Sequence, residues 1–174
     1  MPFVKLSKLP QNFELPEENG LSFYENVLIK AKFVYDKFKK TVIADDSGLV
    51  IPSLDGFPGI FSSRFAKKVG GFENAMKKII ELLRGKSSFA KFVCYAVLYL
   101  KDNEFYIFRG EVEGFIVNPR GNKGFGYDPI FLYPQFGRTF GEIPYFLKDR
   151  VSHRGKAMRQ LIDKLKELHK KGRI

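Results

Sequence analysis

The sequence predicts an α/β fold: a mixed long central sheet with helices, arranged as two lobes around one cleft. Three observations predict it. Helical and strand-like stretches alternate in the order helix, strand, helix, hairpin, helix. Residues 89–100 form a long aromatic and β-branched run that turns back on itself. The 174 residues, 44% of them hydrophobic, suffice for one core without a disulfide or metal staple. The expected organisation is one domain over residues 1–174.

The first twenty residues are broken by Pro2, Pro10 and Pro16, with one short strand expected at Phe3, Val4 and Leu6. Ser22 and Glu25 have capping-box spacing and open a helix, in which Val27, Ala31, Val34 and Phe38 recur at helical intervals to about Lys40. Thr41 to Ala44 reads as a buried strand halted by Asp45-Asp46-Ser47-Gly48, and Leu49 to Ile51 as its continuation or a second strand. Asp55 to Gly59 is turn chemistry. A helix over about Phe72 to Leu83 turns Met76, Ile79, Ile80 and Leu83 inward and stops at Gly85. The strand from Phe89 to Leu100 turns at Asp102-Asn103 into Glu104 to Arg109, and Glu111 to Val117 extends that strand or begins another. Asn118 to Asp128 is a glycine-rich loop, Pro129 to Tyr133 a short strand and Phe136 to Arg150 mostly loop. A final helix, about His153 to Lys170, buries Ala157, Leu161, Leu165 and Leu168.

Composition narrows the function classes. Thirty Lys/Arg against nineteen Asp/Glu leave a formal charge of +11, which points to a polyanionic partner. Eight of the basic residues and only two acids lie in residues 151–174, so much of the excess belongs to the last helix. The single cysteine excludes a disulfide framework and a Cys-rich metal site. There is no apolar run of membrane-spanning length and no signal-peptide pattern, so the expectation is a cytoplasmic protein without membrane association. Cys94, inside an apolar run, reads as a core thiol, and His169 as a solvated helix-end residue.

Four constellations can carry chemistry. Asp45 and Asp46 are adjacent carboxylates after an apolar strand; on extended backbone they face opposite ways, so one can enter a pocket while the other braces it. The same residues also suit a plain strand-end turn. Glu18, just before the first helix, supplies the second carboxylate that a Mg²⁺ site beside Asp46 requires. In Gly124-Phe125-Gly126-Tyr127-Asp128 the glycines admit close approach of a ligand, the aromatic rings offer stacking faces, and Asp128 can accept ring N–H groups or order the loop. Finally, Lys148, His153, Arg154 and Lys156 gather cations at a helix start, against the helix dipole, as a site expecting an anion or carbonyl would.

Taken in order, these stretches resemble the inosine triphosphate pyrophosphatase family. The matching segments are Glu18-x-Gly20 with Ser22-Phe23-x-Glu25-Asn26-x-x-x-Lys30-Ala31, Ala44-Asp45-Asp46-Ser47-Gly48-Leu49, Gly56-x-Pro58-Gly59-x-x-Ser62-x-Arg64, Phe92-x-Cys94, Gly124-Phe125-Gly126-Tyr127-Asp128-Pro129-x-Phe131, and Lys148-x-x-x-Ser152-His153-Arg154-Gly155. The resemblance implies a nucleotide-binding cleft between the lobes, a homodimer, and Mg²⁺-dependent hydrolysis of non-canonical purine nucleoside triphosphates to monophosphate and pyrophosphate. It implies that Asp46 binds metal and accepts a proton with Asp45 in support, and that Glu18 is the second metal ligand. Lys30 and Arg64 neutralise phosphate, Ser47 contacts substrate, and Phe125, Gly126, Tyr127, Asp128, Lys148, His153 and Arg154 form the base and sugar pocket. The family pattern also includes an N-terminal strand and a Ser/Thr-x-Asn-x-x-Lys loop, which this sequence, beginning at Met1-Pro2-Phe3, does not contain; the expected shortfall is roughly 25 residues, more than a short helix. Three other readings stay open: a pyrophosphatase of different base preference, a nucleotide-binding but inactive member, and a basic nucleic-acid-binding module. The last is disfavoured because Glu18, Asp45 and Asp46 would repel a phosphate backbone.

Overall fold

The computed structural model describes residues 6–101 and 104–174. Its elements are α1 (Phe23–Phe38), β1 (Val42–Val50), α2 (Ser62–Lys68), α3 (Phe72–Leu82), β2 (Phe89–Lys101), β3 (Glu104–Ile116), β4 (Phe131–Tyr133), β5 (Arg138–Thr139), α4 (Tyr145–Val151) and α5 (His153–Lys170). The strands form one antiparallel sheet in sequential order, β1-β2-β3-β4-β5. Helix α1 covers one face of this sheet and α5 the other. Beyond them, α2, α3, β4 and the segment through Phe140 close a second lobe around Leu49, Ile79, Phe92 and Phe131.

The start of α1 is set locally. Ser22 Oγ accepts the Glu25 N–H at 3.1 Å, and Glu25 reaches back to the Leu21 N–H at 2.7 Å, one residue before the usual capping-box position. Val27, Ala31 and Val34 are buried as their spacing predicts, but Phe38 stays partly exposed and Tyr35 takes the last inward place.

Some expectations need correction. Strand β1 does not stop at Ala44. Asp45, Asp46, Ser47 and Gly48 pair with Ala96, Tyr95, Cys94 and Val93 of β2, so the turn-forming residues lie mid-strand. Ladder pairing overrides their local preference, and each carboxylate finds a cation on its own side of the sheet. Strand β3 is continuous through Gly110, so the residues after it extend the strand, the first of the two readings left open. That glycine marks where α5 presses on the sheet, since a Cβ there would collide with the His153 carbonyl. Residues 136–150 also contain helix α4, which has no side-chain N-cap to announce it. Its last carbonyls are bonded from α5, where Arg159 donates to the Asp149 and Arg150 oxygens at 2.8 and 2.9 Å. Helix α2, following the G-x-P-G turn, was not expected either. Leu6 is irregular; the rest of the strand expected there and the Asp102-Asn103 turn lie outside the described residues.

Candidate active site

Alternation along β1 divides the two acids as expected. Asp46 shares a face with Tyr95 and points to α1; Asp45 shares a face with Ala96 and points to α5. On the α1 side, Lys30 Nζ lies 3.2 Å from Asp46 Oδ1, 2.9 Å from Glu18 Oε1 and 2.8 Å from the Asp45 carbonyl oxygen. One ammonium therefore sits between two carboxylates. Burial weakens the Lys30 charge, but Asp46 and Glu18 outweigh it and hold its pKa above the ordinary value. Burial raises the Asp46 pKa, Glu18 raises it further, and Lys30 opposes both. Asp46 Oδ2 is buried and without a partner among the described residues.

On the α5 side, Arg154 grips Asp45 Oδ2 through Nε at 3.0 Å and Nη2 at 2.9 Å, and Ser47 Oγ donates to the same oxygen at 3.1 Å. Cys94 packs beneath at 3.9 Å, its thiol pushed up to about 11 by burial, consistent with a core thiol.

Two cavities adjoin here. A polar one of about 770 Å³ is lined by Glu18, Lys30, Asp45, Asp46, Arg64 and Arg154 among others. A more apolar one of about 310 Å³ is lined by Phe72, Phe92, Phe125, Tyr127, Asp128 and His153 among others. Ser47 and Arg154 line both. Arg64, on α2, is exposed and stacks over Phe61 at 4.5 Å.

The apolar pocket is built by close packing. Asp128 accepts the Phe125 N–H at 2.7 Å and pairs with Lys148, both side chains almost fully buried. Gly124, at φ +75°, allows this tight loop, for a Cβ would strike the Asp128 carboxylate. Burial raises the Asp128 pKa against the pull of Lys148. Tyr127 donates to the Ser62 carbonyl at 2.8 Å, and burial raises its pKa. His153 stacks on Phe92 at 4.8 Å; burial first, then Arg154, Lys148 and Lys156, lower its pKa to about 3, so the ring is neutral. Its Nδ1 has no partner among the described residues. The Phe125 ring carries Lys148 Nζ at 4.7 Å and the Arg154 guanidinium at 5.2 Å.

Of the residues given site roles by the resemblance, all but Lys148 line one or both of these cavities. Lys148 lines neither and stands behind Asp128 and Phe125. Sequence reasoning gave no role to Phe72, which meets Tyr127 edge-on at 5.1 Å, or to Phe92 as the floor under His153. Both lie on apolar faces of their elements; the Phe92-x-Cys94 match is the one signal available for Phe92, and Phe72 carries none.

The chain is similar to several known proteins. A relative from Treponema denticola described as dITP/XTP pyrophosphatase is 44% identical over 148 residues, covering 82% of this chain and 76% of that protein. Another so described, from Aquifex aeolicus, is 39% identical, covering 96% and 87%. A solved HAM1 protein from Coxiella burnetii superposes with a TM-score of 0.84 at 39% identity, covering 88% of this chain and 81% of that one. The Ham1 protein of Staphylococcus aureus gives 0.83 at 37%, covering 90% and 82%. Residues 2–164 match the Ham1 family, and with that extent of sequence and structural agreement the chain belongs to it.

Proposed function

We propose that this protein hydrolyses inosine, deoxyinosine and xanthosine triphosphates to the monophosphate and pyrophosphate, removing non-canonical purines from the nucleotide pool. The observation that carries the reading is the pair of adjoining cavities. One is lined by carboxylates and cations, the other by aromatic rings, and they join at Ser47 and Arg154. Relatives at about 40% identity described as dITP/XTP pyrophosphatase support the substrate class.

The triphosphate lies in the polar cavity, where Lys30, Arg64 and Arg154 offset its charge; phosphoryl chemistry depends on positioned cations more than on a covalent nucleophile. Asp46, lining the polar cavity, accepts the proton of the attacking water, and Asp45 holds Arg154 in place. The donor set fits Mg²⁺: two hard carboxylates, Glu18 and Asp46, converge on one cationic position, leaving water and phosphate oxygens to complete the shell. Glu18 and Asp46 would hold the ion, which supplies charge neutralisation of the phosphates.

The purine lies against Phe125 and Tyr127. Arg154 and Lys148 present cations at the Phe125 ring, and a 6-keto oxygen accepts hydrogen bonds where a 6-amino group would leave donors unpaired. Such a mismatch can cost about 10⁴-fold in sites built for hydrogen bonding. A cytoplasmic homodimer completes the reading. Among the exposed apolar side chains Leu21, Tyr24 and Phe61 line one groove, which supports a contact with a second copy.

Pyrophosphate release from inosine, xanthosine, adenosine and guanosine triphosphates, with Mg²⁺ and with EDTA, tests the proposal. Mg²⁺-dependent release restricted to the first two is expected. Equal release from all four would overturn the base preference, and silence throughout would leave a nucleotide-binding role. Sedimentation of the purified protein tests the dimer.

A further inference from the structure

The site holds one buried polar side chain that the functional reading leaves without a task. Asn26 is fully buried in the second turn of α1, one turn before Lys30 and on the same side of the helix. Its Oδ1 accepts the Gly20 N–H at 2.9 Å, which pins the loop that carries Glu18. The seat is tight, because a Cβ on Gly20 would come within 2.7 Å of both Asn26 Oδ1 and the Glu25 side chain. Its Nδ2 is buried and lacks a partner among the described residues, as does Asp46 Oδ2. The two are complementary, a donor and an acceptor, and the Asn26 amide favours the charged form of Asp46. Leaving a buried donor and a buried acceptor both unpaired is costly, and one hydrogen bond between them removes that cost.

Resting on the functional reading above, we infer that Asn26 is a positioning residue that joins the site's two carboxylates: Oδ1 fixes the Glu18 loop through Gly20, and Nδ2 donates to Asp46 Oδ2 in the working site. Lys30 then holds one Asp46 oxygen and Asn26 the other, so the carboxylate plane is set from both sides. The spacing of Glu18 and Asp46 is then set jointly by the Lys30 ammonium and the Asn26 amide.

The test uses the full chain with Asn26→Ala, Asn26→Asp, Asp46→Ala and their combinations. Asn26→Asp retains an acceptor for the Gly20 N–H but loses the donor toward Asp46. It is expected to lower kcat for inosine triphosphate by at least about tenfold while KM stays within about threefold. Near wild-type kcat for this variant would overturn the inference. Thermal melts provide a measure independent of turnover. Asn26→Ala should lower the melting temperature more in the wild-type background than in Asp46→Ala, because the coupling is lost with its partner. Equal shifts in both backgrounds would also overturn it. Absence of turnover in the wild type would instead defeat the functional reading, with the melting comparison still deciding the role of Asn26.

Discussion

The polar cleft and the aromatic pocket meet at Ser47 and Arg154, yet they hold charge differently. In the cleft, Lys30 is shared among Glu18, Asp46 and a backbone carbonyl, and Arg64 is open to solvent. In the pocket, Asp128 and Lys148 are locked together out of water, His153 is neutral on Phe92, and Tyr127 is tied to Ser62. The cleft is therefore expected to exchange one cation for another without collapsing, and the pocket to lose stability when a member is removed. The first arrangement suits a changing phosphate and metal load, the second a rigid ring to be discriminated.

The largest effect expected is in the cleft. Asp46→Asn should reduce turnover by about 10²–10⁴-fold, the range for losing a general base, while Lys30 keeps Glu18 and the melting temperature moves little. A variant with normal turnover would remove Asp46 from the mechanism. The pocket should behave oppositely: Lys148→Met strands the buried Asp128 carboxylate and should cost about 3–5 kcal/mol in denaturant unfolding. Unchanged stability there would erase the contrast between the two regions.

A smaller effect separates them by pH. The His153 pKa is depressed to about 3 in the folded protein, against about 6.5 unfolded. The unfolded chain therefore binds the extra proton first, and stability contributed by the neutral ring is present above about pH 6.5 and lost as pH falls toward 3. Melting temperatures across that window should fall less steeply in His153→Gln than in the wild type, and parallel curves would show that His153 does not carry the slope. The smallest effect belongs to Arg64→Ala, exposed on α2: KM should rise about tenfold, as for one lost charged hydrogen bond, with the melting temperature unchanged.

Much of this was legible in the residues. The hydrophobic spacing of α1, α3 and α5, the long β2–β3 hairpin and the order of the four chemical constellations all follow from local pattern. The opposed directions of Asp45 and Asp46 follow from strand alternation alone. What failed was reading Asp-Asp-Ser-Gly as an ending. Turn propensity is a local quantity worth little against a full set of ladder bonds, and nothing near residue 45 announces that β2 lies alongside. Helix α4 was missed for the same reason, since its capping partner Arg159 is ten residues away from Asp149.

The sequence by itself determined the α/β class, the positions of most elements and the inventory of acids, cations and aromatic rings. Tertiary structure alone decided which of them meet. Only it brings Lys30 between Glu18 and Asp46, and buries Lys148 behind Asp128 rather than in either cavity. Only it leaves Asn26 Nδ2 and Asp46 Oδ2 buried without partners among the described residues. The physical reason is that periodicity records which side of an element is apolar. Charge pairing and desolvation, by contrast, depend on neighbours brought together from distant parts of the chain by the packing of α1 and α5 on opposite faces of one sheet.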